Sequence, residues 1–145
     1  WQQLARTVGA ALQSEGTPRQ RALALIDSYS DFLASNRNFS SIVQREVASG
    51  HHVERIVAGT LPSFQLGTQW LGESGIEAPP GLELDHVLTS VYGMVVTYFT
   101  YGRVLQRLSG KDPFSPEALE ARKRHVRTVV GLLFREILGT PKSKR

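Results

Sequence analysis

The chain has 145 residues with a formal net charge of +4, and 41% of its side chains are hydrophobic. That length suits one domain with its own core. The absence of cysteine excludes disulfides, thiolate nucleophiles and cysteine-ligated zinc. No run approaches the ~18 uninterrupted apolar residues of a membrane span. The chain opens on Trp1 without a basic-then-apolar leader, so it reads as a processed or truncated protein without a signal peptide. A cytoplasmic location and no membrane partner are expected. The charge is uneven: from Arg103 onward 11 Lys and Arg face 4 Asp and Glu, net +7, whereas the first 102 residues hold 6 against 9, net −3.

The opening stretch, "WQQLARTVGAALQSEG", reads as the last turns of a helix closed by Gly16. A second helix starts at a capping box in which Thr17 caps, Pro18 takes the first position and Gln20 reaches back. Its apolar stripe is Ala22, Leu23, Ile26, Tyr29, Phe32 and Leu33, and it ends at Asn36 and Asn38. Next, "NFSSIVQREVAS" forms a short helix with Phe39, Ile42, Val43 and Val47 on one side, stopped by Ser49 and Gly50. The helical period resumes at His51 and runs to Leu71 through Val53, Ile56, Val57, Leu61 and Phe64, with a kink expected at Pro62. "GESGIEAPPG" is a loop.

Leu82 to Leu108 reads as one long helix, with Leu84, Val87, Leu88, Val91, Val95, Tyr98 and Leu105 on one stripe and Tyr92, Val96 and Phe99 a quarter-turn away. Ser115, Pro116 and Glu117 open the last helix. Its stripe is Leu119, Val126, Val129, Val130, Leu133 and Ile137, with Leu132, Phe134 and Leu138 off it, and Gly139 and Pro141 stop it. β-Branched runs such as "GMVVTYF" lie inside helical periods, so no strand is expected. The fold class is all-α, with about six helices. The final two helices are apolar on more than one side, which a chain this small cannot bury alone. Two helices from each of two chains would form a dimeric four-helix bundle about a two-fold axis.

Three segments carry a family resemblance: "YSDFLASNRNFSSIVQREVASG", "YGMVVTYFTYGRVLQRLSGKDPFSPEAL" and "VRTVVGLLFREILG". Their order resembles the C-terminal regulatory domain of the TetR family of bacterial transcriptional regulators, over nearly the whole chain. The resemblance implies that residues 1–145 are a ligand-binding and dimerisation domain, with 1–16 the tail of the connecting helix. It implies a homodimer, a small-molecule effector, no enzymatic activity and no cofactor. Operator DNA would be a partner only through an N-terminal helix-turn-helix that this chain lacks, since two such heads must stand roughly 34 Å apart. A small, largely apolar effector would bias their spacing.

The candidate effector-pocket residues are Tyr29, Phe32, Phe39, Val43, His52, Phe64, Trp70, Tyr92, Val95 and Phe99, with Gln65 and Gln69 as orienting groups. The candidate dimer-interface residues are Tyr98, Leu105, Val126, Val130, Leu133 and Phe134. Gly93, Gly102 and Gly131 would let helices approach closely.

Other chemistry is weaker. His51 and His52 are adjacent, whereas a helical metal pair wants i,i+4, so they read as a corner rather than a metal centre. Asp27 and Asp31 share a helix face but sit among serines, which suits a solvated surface. Ser40, Ser41 and Ser63 lack a recognisable histidine and acid. Three rivals remain: a ligand-free helical homodimerisation module, a metal-dependent enzyme using His51, His52 and Glu54, and nucleic-acid binding through Arg122, Lys123, Arg124 and Arg127. The closing "TPKSKR" reads as a frayed tail.

Overall fold

The computed structural model describes residues 1–75 and 79–139, with the backbone alone for 137–139. The described residues are all-α, in seven helices: α1 (Gln2–Leu12), α2 (Pro18–Ser35), α3 (Asn38–Ser49), α4 (Val53–Glu73), α5 (Leu84–Thr100), α6 (Gly102–Ser109) and α7 (Pro116–Gly139). No helix among them is long and apolar enough to cross a membrane.

Local chemistry sets several boundaries as the sequence implies. Gln20 N donates to Thr17 Oγ1 at 3.3 Å and Thr17 N donates to Gln20 Oε1 at 2.8 Å, completing the capping box of α2. Gly50 ends α3 at φ 69°, a left-handed conformation that glycine adopts without a Cβ penalty. Ser115 Oγ accepts from Ala118 N at 3.2 Å at the start of α7. Gly16, however, does not close the first helix: α1 ends at Leu12 with Gln13 as its cap. The stop predicted at Gly139 and Pro141, the side chains of Ile137 and Leu138, the tail, and Ile76 to Ala78 of the loop lie outside the described side chains.

The predicted long helix from Leu82 to Leu108 is two helices. Tyr101 has ψ 7°, far from the helical −42°, and this separates α5 from α6. Packing explains the break. Phe114 lies over Gly102, where a Cβ would stand 2.2 Å from Phe114 Cζ. Phe114 also stacks on Phe99 at 6.0 Å, and Tyr98 Oη donates to Pro113 O at 2.6 Å. The chain entering α7 is thus fastened to the end of α5.

The core gathers Leu4, Val8 and Leu12 of α1, Ile26, Phe32 and Leu33 of α2, Leu71 of α4, Val95, Val96 and Phe99 of α5, and Val126, Val130 and Phe134 of α7. Leu33 and Val126 are each 1% exposed. Burying an aliphatic side chain this fully is worth about 1.5–3 kcal/mol.

Two predicted stripes are only partly buried. On α3 only Val43 is buried among the apolar residues, while Ile42 and Val47 are exposed. On α4, Val53, Val57, Leu61 and Phe64 are exposed, and Leu71 alone is buried. The α4 helix lies against α1 and α3 as a thin cover rather than as a core element. Its helical period is right, but Val53, Val57, Leu61 and Phe64 fall on the outward face, while Leu66 and Trp70 pack inward with Leu71.

Asp27 and Asp31 are not merely a solvated face. Asp27 pairs with Arg127 at 3.1 Å and Asp31 with Lys123, so both tie α2 to α7. Burial raises the Asp27 pKa, opposed by the nearby Arg127 and Lys123.

Candidate functional site

An apolar cavity of about 160 Å³ lies under α4. From α1, Leu4 and Val8 form one wall, four residues apart and so on one helix face, with Trp1 just before the helix. From α2 come Leu25, Ile26 and Tyr29; from α5 come Leu88, Val91 and Tyr92; Phe39 of α3 closes one end. The roof is α4, through Thr60, Ser63, Phe64 and Gly67.

That roof explains why the space exists. Thr60, Ser63 and Gly67 fall at i, i+3 and i+7, a stripe of short side chains facing large ones. At Gly67 an added Cβ would meet nothing within 4 Å. Trp1 holds the roof near α1: a Cβ on Gly59 would stand 2.4 Å from the Trp1 ring, and Trp1 packs edge-on against Phe39 at 5.0 Å. The mouth carries the half-exposed rings of Phe64 and Tyr92.

The polar side chains of the cavity are the hydroxyls of Tyr29, Thr60, Ser63 and Tyr92 and the Trp1 indole, and no charged side chain lines it. Ser63 Oγ is buried without a hydrogen-bond partner. A buried hydroxyl left unpaired costs roughly 1–3 kcal/mol, which a ligand acceptor would recover. Tyr29 and Tyr92 stack at 6.4 Å with ring planes 24° apart. Burial raises both phenol pKa values, that of Tyr29 with a further push from Tyr92. Both therefore stay neutral donors at pH 7. The arrangement suits a neutral molecule with an apolar body and one or two acceptors. Its volume is close to that of an engineered apolar cavity of about 150 Å³ that takes benzene.

Of the predicted pocket residues, the structure brings Tyr29, Phe39, Phe64 and Tyr92 together at this cavity. Phe32 stands behind the wall, 7% exposed and edge-on to Phe39 at 5.2 Å. Val95 and Phe99 are core residues that border only a water-sized space of about 10 Å³ beside Val126. Val43 and His52 line a surface depression with Trp1, Ile42, Glu46, Arg55 and Ile56. Trp70 lies at the far end of α4, on a depression with Gly9, Leu12 and Arg21. Gln69 is occupied by Glu73 at 2.8 Å, and Gln65 is exposed. The sequence reading missed Trp1, Leu4, Val8, Leu25, Ile26, Leu88 and Val91 as lining residues, and the small-residue stripe of α4 was the signal available for the roof.

His51 and His52 precede α4 and are exposed, with His52 Nε2 3.8 Å from Glu46 Oε2. Among the described residues no group of three or more His, Cys, Asp or Glu could hold a metal ion.

Three predicted dimer-interface residues prove to be internal. Val126, Val130 and Phe134 are 1%, 3% and 7% exposed within the single chain, because this face of α7 packs on α2 and α5. Tyr98 is held by Pro113 and by Arg122, whose guanidinium lies 5.2 Å over its ring. Leu105 and Leu133 are half-buried. Among the described side chains, the exposed large apolar residues of this region are instead Tyr101 at the break, Val104 and Leu108 on α6 and Leu132 on α7.

Comparison of the chain with protein-family models, curated proteins and solved structures yields no match.

Proposed function

We propose that this chain is a TetR-like regulatory domain that binds a small, neutral, largely apolar effector and dimerises through its last helices. The apolar cavity with the unpaired Ser63 hydroxyl carries this reading. Three of its lining residues, Trp1, Leu4 and Val8, belong to the start of the chain, which the resemblance assigns to the connecting helix. A ligand that touches them has different affinities for different α1 positions, and that difference is what shifts a two-state equilibrium. The exposed Tyr101, Val104, Leu108 and Leu132 support a second copy on α6 and α7 as a bundle across a two-fold axis.

Trp1 makes the test direct, because its indole lines the cavity. Titrating phenol, toluene and benzoate while following tryptophan emission should show saturable change for the neutral rings and none for the carboxylate. The Trp1→Phe variant should lose that change while Trp70 continues to emit. No response to any neutral ring would overturn the effector reading. Native mass spectrometry should show twice the 16.0 kDa chain mass, reverting to the single mass in a Leu108→Asp, Leu132→Asp variant. A monomer in the parent chain would overturn the dimer.

A further inference from the structure

A second site lies between α2 and α7 and shares no residue with the apolar cavity. Arg124, Arg127, Thr128, Gly131 and Arg135 recur at three- and four-residue spacing along one side of α7. Arg19, from the first turn of α2, crosses to meet them. A Cβ on Gly131 would stand 3.1 Å from Arg19 Nη2, so the missing side chain gives this guanidinium its place. Arg127 and Arg135 stand four residues to either side of Gly131, about 6 Å each way along the helix. Together with Leu23 and Leu132 these residues line an open depression of about 640 Å³ that contains four arginines and no carboxylate, and its Leu132 edge borders the face proposed for the second copy.

The charge is left largely unneutralised. Arg127 pairs with Asp27 at 3.1 Å, but among the described residues Arg19, Arg124 and Arg135 enter no ion pair. Lys123, on the adjoining face of α7, provides the contrast, because Asp31 and Glu120 both neutralise it. Guanidinium groups stay charged at every physiological pH and repel one another when crowded. They also present rigid forks of N–H donors that match phosphate oxygens in pairs. We infer that this groove binds a compact anion bearing two or more phosphates. The lining holds no aromatic side chain on which a nucleic-acid base would stack, which favours a small polyanion over a single strand.

Isothermal titration of the full chain with inorganic tripolyphosphate, at about 0.1 M salt, tests this. The expected result is one anion per chain, with affinity falling as salt rises. Arg124→Gln and Arg135→Gln should each weaken binding about tenfold. Arg19→Lys keeps the charge but removes the fork, and should still weaken binding several-fold. Arg103→Gln, at an exposed arginine on α6, should leave affinity unchanged. Circular dichroism of each variant should match the parent, since these side chains are exposed. Binding that falls equally in Arg103→Gln would overturn the site in favour of diffuse charge. No heat of binding up to millimolar tripolyphosphate would overturn it outright. A single-stranded oligonucleotide that displaces tripolyphosphate while spanning several chains would overturn its compactness.

Discussion

Gly67 offers the sharpest test of the cavity. It sits in the interior of α4, lines the space beneath, and an added Cβ would meet nothing within 4 Å. Replacing it with alanine has two separable effects. Removing an interior helical glycine stabilises by about 1 kcal/mol through backbone entropy. The added methyl projects into the open space with no atom within 4 Å, so burying it adds between nothing and about 0.8 kcal/mol. The sum is about 1–2 kcal/mol. With an unfolding entropy near 2.1 cal/mol/K per residue, a chain of this length gains about 3 °C for each kcal/mol, so Tm should rise by about 3–6 °C. Differential scanning calorimetry reads this directly. Gly67→Leu carries the argument further, since its longer side chain enters the space that a ligand would use. It should keep a Tm at or above that of the parent while abolishing the phenol-induced change in Trp1 emission. A lower Tm for Gly67→Ala would mean that α4 has collapsed onto α5 in solution and that the space is not there. A ligand response surviving in Gly67→Leu would place binding elsewhere.

At the break between α5 and α6, Gly102→Ala drives a methyl into the Phe114 ring and should cost about 1–3 kcal/mol by overpacking. Chemical denaturation should show Phe114→Leu recovering much of the loss in the double variant, whereas additive losses would refute direct contact. For Lys123, burial acts to lower the pKa, but hydrogen bonds to Asp31 and Glu120 outweigh it and raise the group above its ordinary 10.5. A folded value above the unfolded one gives stability that is full below pH 10.5 and lost as pH climbs through the folded value. Thermal melts from pH 9 upward should therefore show a falling limb that Lys123→Met flattens, and an unchanged limb would refute the linkage.

The helices were legible because their signals are local. Thr17 and Gln20 need only each other to cap α2, and Gly50 needs only its own backbone freedom to stop α3. The break at Tyr101 was not legible, since its cause is Phe114, twelve residues ahead of Gly102 and brought back by the turn into α7. The ion pairs of Asp27 and Asp31 likewise exist only once α7 docks on α2. Apolar spacing located α4, but it does not say which face is covered: Val57 and Leu61 keep the period and remain exposed. The same limit explains the site. Large aromatics in a helical stripe usually meet other large side chains and become solid core, as Phe32 and Phe99 do. A cavity forms where an aromatic wall faces side chains too short to reach it. Tyr29, Phe39 and Tyr92 face Thr60, Ser63 and Gly67 in this way, under a helix that packs on Trp1 through Gly59. The pocket is therefore encoded less by its aromatic residues than by the small ones opposite them. Enlarging the small residues should erase the site at no cost to the fold, whereas truncating Phe32 should damage the fold without ever having touched the ligand.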